Sequence, residues 1–176
     1  MLFRSRPKIA SPDRIRAIEI ATFRTAVEII GKDPEKWRPR TRETADHSLP
    51  YCTAVALVDG VVSAEQFSPA RLSDPALLDL VARTRVIEDP RLTSGYPAGT
   101  PNRVTVTLDD GSTLVAEVVL PPGHAQNPLS DDQLAGKFRG LVVPILGARR
   151  SAEIWNRLSN LEYDPAPHET IALTQL

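Results

Sequence analysis

A single cysteine, Cys52, rules out an internal disulfide and makes a reducing compartment the simpler setting. It lies inside an apolar stretch, where a thiol more often packs than reacts. Neither charge dominates: 21 Lys and Arg stand against 22 Asp and Glu, for a net charge of -1. No long-range field therefore singles out nucleic acid or an acidic membrane, and any anion site must be local. No apolar run approaches a membrane span, and the basic first residues, Met1 to Lys8, lack the apolar core of a signal peptide. A soluble, cytoplasmic protein is expected, with no nucleic-acid or membrane partner. Also missing are a glycine-rich phosphate loop and a Gly-x-Ser-x-Gly elbow. His124 and His168 stand in loops without metal-ligand spacing to each other or to Cys52, which argues against a zinc site. Aromatics are scarce and prolines number 16, a balance that suits short elements joined by rigid turns.

What is present centres on Trp37 to Gly60. Three arginines (Arg38, Arg40, Arg42), an Asp46-His47 pair and Ser48 stand just ahead of an apolar segment. Pro50 is tolerated only in a first helical turn, so the helix starts at Ser48 as N-cap and stops at Gly60. The helix dipole then favours anions beside His47 and Arg42. Each residue also has a plainer reading. His47 can be an ordinary cap histidine, Asp46 can orient it or be a second cap, and the arginines can be a solvated charge run or a carboxylate clamp. Lys137, taken alone, is a surface lysine on an amphipathic helix.

Along the chain, Ser11-Pro12-Asp13 signals a short helical turn and residues 17–23 a strand. A brief helix over 25–30 ends at Gly31, and the charged segment 32–47 reads as a loop of a length that is usually functional or disordered. Asp74-Pro75 caps a helix to about Arg83, and 85–88 is a short strand. Residues 92–101 form a turn-rich loop that leads into a hairpin over 103–120. A three-residue loop, Asp109-Asp110-Gly111, sets Val106 opposite Leu114 and Val104 opposite Ala116 and puts the apolar residues on one face. Ser130 and Gln133 form a capping box for a helix whose expected buried stripe is Leu134, Phe138, Leu141 and Val142. A last helix follows over about 152–161, and the tail from Asp164 is weakly specified. These elements predict an α+β fold: a two-layer sandwich of a small, largely antiparallel sheet with helices on one face, plus a C-terminal helix. The division expected is an α+β domain over 1–146 and a helical tail over 147–176.

Pro39-Arg-Thr-Arg-Glu-Thr-Ala-Asp-His-Ser-Leu-Pro-Tyr51 resembles the signature of the MmgE/PrpD family. That family includes methylcitrate dehydratases, cis-aconitate decarboxylases and iminodisuccinate epimerases. The likeness continues, in the family's order, through Ala56 to Gly60, Arg85 to Pro90, the Asp110-Gly111 hairpin, Pro122 to Ser130, and Lys137-Phe138. The resemblance implies a cofactor-free lyase or isomerase acting on small di- and tricarboxylates by removing a proton next to a carboxylate. It implies a large helical domain and a smaller α+β domain that covers it as a lid, with the active site between them. By that analogy His47 is a general acid/base whose charged form is disfavoured beside the helix N-terminus, and Arg42 is a carboxylate ligand. Asp46, Tyr51 and Lys137 lie in matching blocks, either touching substrate or holding the loop and helix in place. By that resemblance the blocks present here correspond to the smaller domain standing alone. Two readings follow: one subunit of a split enzyme that needs a helical partner chain or homo-oligomer, or a non-enzymatic carboxylate-binding module or inactive remnant.

Overall fold

The structure, a computed structural model, describes Ile9 and residues 11–175. Those residues fall into two compact units, one through Pro121 and one from Pro122 onward. The sequence reading placed the division after Leu146 instead. The difference lies with the helix Asp131–Leu146, which packs on the helix that follows it.

The first unit is organised by β1 (Ile15–Thr22), to which two other strands pair. The remaining strands are β2 (Thr84–Glu88), β3 (Asn102–Leu108) and β4 (Thr113–Val118), and the sheet order is β2-β1-β3-β4. β1 runs parallel to β2 and antiparallel to β3, and β3 is antiparallel to β4. The sheet is thus mixed, with antiparallel pairs in the majority. The hairpin register is the expected one: Val104 pairs with Ala116 and Val106 with Leu114. Gly111, at φ 80°, takes the left-handed position that a side chain would strain.

Ile18 and Ile20 on β1 lie opposite Val106 and Val104, and this face is the floor of the core. The segment 32–47, expected as a loop, instead holds two short helices, α1 (Pro34–Trp37) and α2 (Arg42–Asp46). Both are too short to be stable alone and are held by their surroundings. The Trp37 indole N–H donates to the Gly31 carbonyl at 3.1 Å, and the Ser48 hydroxyl donates to the Lys36 carbonyl. Gly31 must itself be glycine, because a Cβ there would sit 2.8 Å from Val86 Cγ1.

Next come α3 (Leu49–Asp59) and α4 (Pro75–Ala82), capped by Ser48 and Asp74 and both carrying proline in the first turn. Gly60, left-handed at φ 72°, ends α3. α3 is apolar around most of its circumference, and Tyr51, Ala54, Val55 and Leu57 are all fully buried against the sheet and α4. Thr53 is buried there too, and its hydroxyl has no hydrogen-bond partner among the described residues. Replacing it with valine, of the same shape, deletes an unsatisfied polar group. Thr53→Val should raise stability by about 1 kcal/mol, seen as a higher urea midpoint at unchanged slope, whereas a lower midpoint would show that the hydroxyl is satisfied.

The second unit is built on α5 (Asp131–Leu146) and α6 (Ala148–Ser159). Ser130 caps α5 and Gln133 closes the capping box. Helix α5 runs through Pro144 in its last turn. A proline so near the last turn forfeits only one backbone bond. The expected buried stripe is not buried: Leu134 is 49% and Leu141 55% exposed, Phe138 and Val142 are half-buried, and Ala135 is the buried residue of α5. Phe138 meets Trp155 of α6 at a ring-centroid distance of 5.2 Å. The tail is also ordered more than expected, with a helix α7 (Pro167–Ala172). Asp164 accepts from the Ala166 N–H, Arg157 and the Thr170 hydroxyl, which together hold its carboxyl down to about 2. Among the described residues no helix is long and apolar enough to cross a membrane.

Candidate active site

The site residues cluster where α2 ends and α3 begins. Thr41 caps α2 by accepting from the Thr44 N–H, Arg42 opens the helix, and Asp46 closes it. His47 is the C-cap of α2 and immediately precedes Ser48, the N-cap of α3. Ser48 accepts from the Tyr51 N–H at 3.1 Å, fixing the turn. The Cys52 thiol donates to the Ala45 carbonyl at 3.4 Å, tying α3 back to α2. Burial pushes that thiol up to about 11, so Cys52 packs and is no nucleophile.

His47 Nδ1 lies 2.6 Å from Asp46 Oδ1 and 3.1 Å from the Glu43 carbonyl oxygen. Both partners only accept, so Nδ1 carries the proton and donates to them. Nε2 has no partner among the described residues, and the His47 side chain is 62% exposed. A bonded Nδ1–H and an open Nε2 make an oriented imidazole whose reactive nitrogen faces outward.

The direction of the His47 pKa shift is opposite to the expected one. The hydrogen bond to the Glu43 carbonyl, followed by that to the Asp46 carboxylate, raises the His47 pKa above its ordinary value. The N-terminus of α3 alone would disfavour the charged ring, but the groups in contact with the ring are the Glu43 carbonyl, in the first turn of α2, and the Asp46 carboxylate. Because the folded value exceeds the unfolded one, this pair's stabilisation is complete below the ordinary value of 6.5 and is lost as pH rises through the folded value. Asp46→Asn should move the His47 proton-NMR titration midpoint down toward the ordinary value; an unmoved midpoint would mean that the carboxylate does not set it.

Arg42 and Asp46 are four residues apart on α2 and so share one helix face. Asp46 is engaged with His47, whereas Arg42 is exposed and has no hydrogen bond or ion pair among the described residues. An unpaired guanidinium on the helix face that carries Asp46 offers charge to a carboxylate, and the oriented imidazole offers a proton acceptor. Tyr51 is fully buried and its hydroxyl donates to the Gln66 carbonyl at 2.8 Å. Its ring and hydroxyl both face the interior, and burial pushes the phenol up to about 12. Lys137 is an exposed residue of α5, in the second unit. The residues that sequence reasoning missed are Glu43, whose carbonyl holds the imidazole, and the cap Thr41. Thr41 ahead of an acidic first turn at Glu43 was the available helix-start signal. Among the described residues no group of three His, Cys, Asp or Glu side chains is placed to hold a metal ion.

The family model for the MmgE/PrpD C-terminal domain matches residues 1–162. A cis-aconitate decarboxylase-like protein of Aspergillus oryzae is 28% identical over 98% of this chain and 36% of its own length. The 2-methylcitrate dehydratase of Cupriavidus necator is 37% identical over 62% of this chain and 23% of its own. The mitochondrial 2-methylcitrate dehydratase of Yarrowia lipolytica is 30% identical over 73% of this chain and 26% of its own. The chain thus spans between about a quarter and a third of the length of these curated relatives.

Proposed function

Because the chain belongs to the MmgE/PrpD family, matching its C-terminal domain, we propose that it supplies the smaller, lid-like half of a lyase or isomerase acting on small di- or tricarboxylates. 2-Methylcitrate, citrate and cis-aconitate define the substrate class. The observation that carries this reading is the exposed Asp46-His47 pair with its open Nε2, one helical turn from the unpaired Arg42. Arg42 binds a substrate carboxylate and stabilises the enediolate-like charge that develops when the neighbouring carbon loses its proton. His47 Nε2 takes that proton, and the imidazolium so formed is held by Asp46 and the Glu43 carbonyl. The raised pKa suits both halves of the cycle, since a more basic imidazole accepts the proton more readily and carries it at a higher pH. Tyr51 acts at a distance, by fixing α3 and hence the turn that holds His47.

A site this exposed excludes no water by itself, and a helical domain of the family's kind completes it. The apolar surface of α5 supports a partner or a second copy: Leu134, Leu141 and Ile145 are each about half exposed or more, and a cavity of about 350 Å³ opens beside Phe138, Leu141 and Ile154. The test is reconstitution. This chain mixed with its helical partner should turn over a small tricarboxylate that neither turns over alone, and an inactive but stably assembled pair would leave only a carboxylate-binding role.

A further inference from the structure

A second anion site is written into the first unit, apart from His47. A cavity of about 310 Å³ is lined by Arg38, Pro39 and Arg40 on one side and by Pro69, Leu72, Ser73 and Leu78 on the other. Neither His47 nor Arg42 lines it, and no lining residue is acidic. Six other arginines of this unit, Arg14, Arg24, Arg71, Arg83, Arg91 and Arg103, each pair with a carboxylate, whereas among the described residues Arg16, Arg42 and Arg85 do not. Arg71 in particular holds Asp59 and Asp74, the second of which follows Ser73 directly in the chain. Arg38 and Arg40 have no hydrogen bond or ion pair among the described residues. Two arginines without a carboxylate partner among the described residues line one cavity, with the buried Pro39 between them in the chain. The floor is apolar, with Leu72 buried and Leu78 half-buried. Ser73 adds no donor, since its hydroxyl donates to the Pro69 carbonyl at 3.0 Å. Fork-shaped donors over an apolar floor suit a ligand with a compact negative end and a short carbon frame.

We propose that this cavity binds a small organic dianion, a dicarboxylate or a phosphate monoester, with its charge on Arg38 and Arg40 and its carbon frame against Pro39, Leu72 and Leu78. This site does not rest on the lyase reading, because it is read on the full chain without a partner and without turnover. The experiment is an NMR titration of the arginine Nε–H resonances with succinate and, separately, with glycerol 2-phosphate, against sodium chloride of equal ionic strength. The expected result is a saturable shift at Arg38 and Arg40 with at least one of the two anions, and the responding anion assigns the class. Arg38→Gln/Arg40→Gln should weaken that binding by about tenfold or more, as loss of charge-assisted bonds requires. Ser73→Asp, an exposed substitution that keeps both arginines, should weaken it as well by placing a like charge in the cavity. Shifts that match those of chloride, or saturable binding unchanged in both variants, would overturn the proposal.

Discussion

His47→Ala in the assembled enzyme is expected to lower turnover by about 100- to 10,000-fold, the range that a positioned general acid or base supplies. Assembly should be intact, because the His47 side chain is mostly exposed and its two hydrogen bonds end on Asp46 and Glu43 within the same turn. Two companion variants separate the roles. Asp46→Asn keeps the shape but removes the charge that holds the imidazolium, so activity should fall less than in His47→Ala and its pH profile should move toward the ordinary imidazole range. Arg42→Lys keeps a charge but loses the fork, and its main effect should be on KM if Arg42 binds the ground-state carboxylate and on kcat if it acts on the developing charge. Unchanged turnover in His47→Ala would remove this residue from the mechanism.

Tyr51→Ala is expected to destabilise the first unit by about 3–5 kcal/mol, the usual cost of deleting a buried aromatic ring. The ring is fully buried in the core and packs at a 6.1 Å centroid distance from Phe67. Tyr51→Phe isolates the hydroxyl. It removes only the bond to the Gln66 carbonyl and should cost about 1–2 kcal/mol, with turnover near that of the parent enzyme. That pair of variants decides whether Tyr51 positions the helix or touches substrate. A large loss of kcat in Tyr51→Phe at unchanged stability would place its hydroxyl in the chemistry, against the geometry seen here.

The parts of the fold that were legible in the sequence are those set by local chemistry. Ser48 with Pro50 marks the start of α3 and Gly60 its end, Ser130 with Gln133 marks α5, and Gly111 selects the hairpin register. Each is decided by a cap, a fixed φ or a left-handed glycine within a few residues. What was not legible depends on distant partners. Helices α1 and α2 exist because Gly31, Ser48 and Cys52 hold them, which no local propensity records. Periodicity showed that α5 is amphipathic, but it cannot say whether anything covers Leu134 and Leu141. The direction in which the His47 pKa moves was not legible in the sequence. Asp46 beside His47 was visible, yet the Glu43 carbonyl, in the first turn of an unforeseen helix, raises the imidazole pKa where the helix dipole alone would lower it.

The most direct measurement of the proposed function is turnover by the native complex, purified from its own cells through this chain and incubated with 2-methylcitrate, cis-aconitate and iminodisuccinate in deuterated water. The account predicts a complex that contains a helical partner, consumes one of these acids and exchanges deuterium at the carbon next to a carboxylate, with both signals lost in His47→Ala. An intact complex with a helical partner that neither consumes nor exchanges any of the three would contradict it.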